Sequence, residues 1–146
     1  MRGIIVGIDG SGHSQRALEW AIKEAAVRHS PLTVVTVHQV MRGYSGYGVA
    51  YANDAELTEQ AGKAAKEETD KVAAGLGDFR PESVTVQAIS GIPAEVLLDV
   101  AQDADMIVLG SRGAGGFSQL LMGSVSAQVA HHAQCPVVII PAESQS

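Results

Sequence analysis

Five short, apolar, β-branched runs separated by helix-patterned stretches constrain this 146-residue chain more than any other feature. They read GIIVGI at 3–8, LTVVTVH at 32–38, VTVQAI at 84–89, MIVL at 106–109 and VVII at 137–140. The first, fourth and fifth are apolar at both parities, the pattern of parallel strands covered by helices on both faces. The second and third carry Thr33, Thr36, Thr85 and Gln87 and are expected nearer a sheet edge. Residues 14–28 place Ala17, Leu18, Ala21, Ile22 and Ala25 in one apolar stripe, and residues 54–76 repeat the pattern with Leu57, Ala61, Ala64, Ala65, Val72 and Leu76. Gly75 and Gly77 mark the end of that second helix. Pro93 suits the first turn of a third, and a fourth is expected to start near Ser124 and end before Pro136. Strands alternating with helices imply parallel pairing through right-handed crossovers: an open α/β sandwich with helices on both faces of the sheet.

The length suits one domain over 1–146, and 46% hydrophobic residues can fill its core. Ten basic residues against sixteen acidic ones leave a net charge of -6. That balance argues against a protein built to grip nucleic-acid phosphates, yet leaves room for a local pocket holding one nucleotide. The single cysteine, Cys135, cannot form an intrachain disulfide, so a reducing, cytoplasmic setting is expected. The opening apolar run stops at Asp9, too soon for a signal-peptide core, and no apolar stretch approaches the roughly 20 residues of a membrane span. One connection is unusual: residues 41–53, MRGYSGYGVAYAN, are long, glycine-rich and hold Tyr44, Tyr47 and Tyr51. A plain surface loop and a wall beside a ligand are both open readings of it.

In an open parallel sheet, ligands bind beyond the carboxyl ends of the strands, where the strand order reverses. Two segments of unusual composition leave strands at such ends: Asp9 to Ser14 after the first, and Gly110 to Ser126 after the fourth. The second holds Gly110, Gly113, Gly115, Gly116 and Gly123. Glycines admit close approach of a ligand to the backbone, and such a loop can aim several amides at one anion. Gly123-Ser124 is expected to open a helix whose free amides and dipole favour phosphate, with Ser111, Ser124 and Ser126 as hydroxyl donors and Arg112 as a cation. The alternative is a turn that merely joins strand to helix.

Two familiar phosphate loops fail on inspection. GIDGSGHS at 7–14 has Walker A spacing, but His13 stands where lysine is required. The Rossmann GxGxxG fails because Gln15 and Ser118 occupy the third glycine's place. Asp9 has two open readings, a carboxylate for ribose hydroxyls or magnesium and a helix cap shared with Ser11. Ser14 has no evident base or orienting partner for nucleophilic chemistry. His131 and His132 point about 100° apart on a helix, so the dipole at its C-terminus explains them better than a metal does. Cys135 reads as a small packed residue.

Gly110-x2-Gly113-x9-Gly123-Ser124 resembles the ATP-binding signature of the universal stress protein family. The opening VGIDGS at 6–11, with Ser14 and Ala17-Leu18, is similar to that family's first strand and helix. DMIVLG at 105–110 and PVVI at 136–139 resemble its fourth and fifth strands, so the likeness spans Gly3 to Pro141. It implies a five-stranded parallel sheet of order 3-2-1-4-5, a Rossmann-like three-layer arrangement, with a nucleotide at the switch between strands one and four. It implies that Ile8 and Asp9 border ribose or phosphate, that backbone near Val37 and His38 borders adenine, and that Gly110, Ser111, Arg112, Gly113, Gly123, Ser124, Val125 and Ser126 hold ribose and phosphates. It further implies a homodimer through strand five, and Val137, Val138, Ile139 and Ile140 are an apolar run with no charge to guard an edge. The expected function is a cytoplasmic stress-response module binding ATP, or ADP or AMP, with magnesium at Asp9. The phosphate loop has no lysine and no water-activating base is evident, so any ATP hydrolysis is expected to be slow. The alternative is a dimeric interaction protein of the same fold without nucleotide.

Overall fold

The computed structural model describes residues 3–39, 54–111 and 115–141, with 115–123 described by backbone alone. The elements run β1 (Ile4–Ile8), α1 (Gly12–Val27), β2 (Pro31–Gln39), α2 (Asp54–Ala74), β3 (Ser83–Gly91), α3 (Pro93–Val100), β4 (Met106–Gly110), α4 (Gly115–His132) and β5 (Val137–Ile140). All four strand pairings are parallel, and the sheet order is β3-β2-β1-β4-β5. Val6 pairs with Val34 on one side and with Val108 on the other, so β1 lies at the middle of the sheet. The chain therefore moves outward on one side through β2 and β3, then returns across β1 to build β4 and β5.

Two apolar cores follow from strand parity. Ile4, Val6, Leu32, Val34 and Val108 face Leu18, Ile22 and Ala65, beneath α1 and α2. Ile5, Val35, Ile107 and Leu109 face Leu97, Val125 and Val129, beneath α3 and α4. Every residue of β1 and β4 is buried, as doubly covered strands require. The fifth run departs from that expectation. β5 is half-buried with Ile139 exposed, because it ends the sheet and has a neighbour on one side only. β3, with its exposed Val84, forms the other edge.

The helix boundaries have local causes. Ser11 caps α1, its Oγ accepting from the Ser14 amide at 3.1 Å. Pro93 sits in the first turn of α3, where its missing N–H leaves no bond unmade. Beyond α2, Gly77 takes φ +59°, a left-handed conformation that glycine adopts without strain. The expected start of α4 is corrected: the helix begins at Gly115, and Gly123 and Ser124 lie inside it.

The β1 entry is clamped from both sides. The Gly3 amide donates to Asp105 Oδ2 at 2.9 Å, and the Asp105 amide donates to the Gly3 carbonyl at 2.8 Å. At the opposite end, Arg16 reaches across from α1 to the Pro141 carbonyl at 2.7 Å, holding the chain just after β5.

Candidate functional site

A cavity of about 280 Å³ opens beyond the carboxyl ends of β1 and β2. Gly7, Ile8 and Asp9 form its floor at the end of β1, and Val35, Val37 and Gln39 form a wall on β2. Ile92, Pro93, Ala94 and Leu97 close it from the start of α3, while Ser124, Val125 and Gln128 face it from α4. It therefore lies between the two outward paths of the chain, where an open α/β sheet characteristically takes its ligand. Among the described residues most of the lining is aliphatic, and its polar side chains are Asp9, Gln39, Ser124 and Gln128. A slot of this kind suits a flat, weakly polar ring at its apolar end and hydroxyl or anionic oxygens at its polar end.

Asp9, Ser124 and Gln128 are each held by a neighbour. Asp9 Oδ1 accepts from the Ser11 amide at 3.0 Å and from the Ser11 hydroxyl at 2.6 Å. The Asp9 amide donates to Ser14 Oγ at 3.2 Å, and that hydroxyl donates to the Ser11 carbonyl at 3.1 Å. Ser11 is thus the cap and Asp9 its anchor, and buried Ser14 serves the same turn. Glu68 on α2 is electrostatically coupled to Asp9: burial raises its carboxyl above the ordinary range, and the charge on Asp9 raises it further. On α4, Gln128 Nε2 donates to Ser124 Oγ at 3.2 Å.

Of the residues singled out from sequence, Ile8, Asp9, Val37, Ser124 and Val125 meet around this one cavity. His38 does not line it with its side chain. Alternation along β2 sends Val35, Val37 and Gln39 to the cavity and His38 to the opposite face, beside Asp54 and Ser90. Ser126 is buried and Gly110 ends β4 with its neighbour Ser111, whose amide donates to the Ile140 carbonyl at 2.9 Å. None of these three is part of the lining. Arg112 and Gly113 lie outside the described residues, as does the 41–53 connection. The corrected start of α4 changes the role of Gly123-Ser124. Amides inside a helix donate to carbonyls four residues earlier, so these two are committed to the helix and are not free helix-end donors.

Sequence reasoning missed Gly7, Val35, Gln39, Ile92, Pro93, Ala94, Leu97 and Gln128. Strand parity was the available signal for Gln39, since it shares the face of Val37. Helical spacing was the signal for Gln128, four residues from Ser124. His131 and His132 meet edge to face with ring centroids 4.7 Å apart, and neither belongs to this lining. Cys135 packs half-buried against the second core, and burial pushes its thiol up. No helix among the described residues is long and apolar enough to cross a membrane.

Comparison with known proteins supports the same architecture. The model of the universal stress protein family matches residues 1–141. A universal stress protein of Mycolicibacterium smegmatis is 32% identical over 145 residues, covering 99% of this chain and 49% of its own length. The chain spans about half the length of the curated relatives it matches. Among solved structures, UspA from Lactobacillus plantarum aligns with TM-score 0.75 at 25% identity, covering 95% of this chain and 97% of that one. A universal stress protein from Archaeoglobus fulgidus, solved in complex with dAMP, aligns with TM-score 0.54 at 25% identity over 96% of this chain and 98% of its own. On the extent of the family match and the likeness to these relatives, the chain belongs to the universal stress protein family.

Proposed function

We propose that the cavity between β1, β2, α3 and α4 binds an adenine nucleotide, with ATP as the ligand and ADP or AMP as alternatives. The observation that carries this reading is the lining itself, an aliphatic slot ending in Asp9 and Ser124 at the point where the sheet order reverses. Adenine would occupy the apolar end against Val35, Val37, Ile92 and Leu97. Asp9 would accept from ribose hydroxyls or hold magnesium against the phosphates. Gly110, Arg112 and Gly113 would serve the phosphates. The dAMP complex of the A. fulgidus relative supports adenine-nucleotide chemistry at this fold.

In this reading the chain is a cytoplasmic stress-response module that works by binding and signalling, as a homodimer through the β5 edge at Val137, Val138, Ile139 and Ile140. A second reading has a specific observation in its favour: α4 runs through Gly123-Ser124, which commits the amides a phosphate would use. In that case the chain is an interaction protein of the same fold without a nucleotide.

Thermal unfolding with ATP, ADP, AMP and cyclic AMP, with and without magnesium, separates the two. A ligand that binds only the folded state adds about 2.7 kcal/mol at 100 times its Kd, so melting should rise with ATP. No shift with any adenine nucleotide at millimolar concentration removes the first reading. A time course of ATP hydrolysis tests turnover directly, and more than one equivalent of product would make the protein a slow ATPase.

A further inference from the structure

We infer that Gln128 is a positioning residue for the ligand, acting through the Ser124 hydroxyl; this rests on the reading that the cavity holds a nucleotide. Both residues line the cavity from the same face of α4, one turn apart. The bond between them has a defined direction, from Gln128 Nε2–H to Ser124 Oγ at 3.2 Å. A serine hydroxyl that accepts in this way keeps its own hydrogen to donate. The amide of Ser124 is committed to the helix, so the hydroxyl is the donor this residue can offer the cavity. Gln128 therefore fixes the polarity of Ser124, turning its O–H toward an acceptor oxygen of the nucleotide and filling an oxygen lone pair behind it. A group that accepted from Ser124 instead would consume that hydrogen and leave the ligand oxygen without it.

The test is a double-mutant cycle on ATP affinity, measured calorimetrically on wild type, Q128L, S124A and the double variant, with Q128E as a reversal of polarity. Gln, Leu and Glu are all strong helix formers, and position 128 is exposed, so ligand-free melting should change little. Q128M supplies a second neutral side chain should Q128L fold poorly. With Ser124 present, Q128L is expected to weaken ATP binding roughly tenfold, the scale of one hydrogen bond to a charged acceptor. With S124A in place, Q128L should cost nothing further. Q128E should bind at least as weakly as Q128L, because its carboxylate only accepts. Equal losses from Q128L in both backgrounds, no loss at all, or tighter binding by Q128E than by Q128L would each overturn the inference. If wild type binds no adenine nucleotide, the nucleotide reading fails and this role fails with it. If wild type binds and the cycle is additive, the role of Gln128 alone fails.

Discussion

His38 Nε2 stands 3.4 Å from Asp54 Oδ1, and the same oxygen accepts from the Ser90 hydroxyl at 2.9 Å. One carboxylate thereby joins the end of β2, the start of α2 and the end of β3. The neighbours of His38 on β2, Val37 and Gln39, form the cavity wall on the other face. Asp54 thus holds from behind the strand tip that shapes the site in front.

Replacing that carboxylate should loosen the node. D54A removes the acceptor of the Ser90 hydroxyl and the carboxylate beside His38, and is expected to cost about 1 kcal/mol, the scale of one modest, partly exposed hydrogen bond. D54N keeps a carbonyl oxygen for Ser90 and should cost less. Urea denaturation of the two variants checks the order, and a D54A protein as stable as wild type would remove the node from the stability argument.

Much of this architecture was legible in the residues because its causes are local or periodic. IIVGI and MIVLG are apolar at both parities, and both strands are fully buried between helix layers. The glycines after α2 and Pro93 mark boundaries through backbone chemistry alone. The site was legible where strand ends and the glycine signature placed a residue. Asp9 at the end of β1 and Ser124 in the glycine signature both reach the cavity. For His38 the expectation concerned its backbone beside Val37; that its side chain turns to the opposite face was not legible, because sequence shows that β2 alternates but not which parity meets which helix layer. The start of α4 was misplaced for a similar reason. Gly-Ser is a good helix entrance, yet it is also tolerated inside a helix at a cost of about 1 kcal/mol for the glycine. The aliphatic lining from α3 was hidden because Leu97 also belongs to the core beneath β4.

Ser11 links the stability of α1 to the placement of the site carboxylate. It caps the helix through its Oγ and donates to Asp9 Oδ1 from both its amide and its hydroxyl. S11A should lower stability by about 1 kcal/mol, as loss of an N-cap does. It also removes the 2.6 Å hydroxyl contact to Asp9. If the nucleotide reading holds, ATP affinity should therefore fall in S11A while S11T, which retains the hydroxyl, stays nearer wild type. Calorimetric titration of both variants tests this, and equal affinities would show that Asp9 needs no such anchor.

Gly7 leaves no room for a side chain. A Cβ there would lie 2.8 Å from Leu109 Cδ2 and 3.2 Å from Leu97 Cδ2. Both leucines are packed in the second core, so the contact is relieved only by moving the floor of the cavity. G7A is expected to destabilise by about 1–3 kcal/mol through overpacking, and G7V by more. The measurement is chemical denaturation beside the ligand titration. G7V folding with wild-type stability would show that this floor yields more readily than its packing implies.

Glu68 makes a prediction about pH. Burial first, and the charge on Asp9 second, raise its carboxyl in the folded protein above the ordinary glutamate range. The folded state then holds its proton to higher pH than the unfolded chain does. Its favourable contribution is complete below the ordinary value, about pH 4, and is lost as pH rises through the raised folded value. At neutral pH that contribution is diminished or gone, so E68Q, which has no proton to lose, should be more stable than wild type there. The difference should narrow on acidification and close below the ordinary glutamate value, by about pH 3. D9N should recover only part of the gain, because Asp9 is the smaller of the two causes. Denaturation midpoints for the three proteins across that range decide the matter. A gap between E68Q and wild type that does not change with pH would mean that the effect of the substitution is one of packing and not of charge.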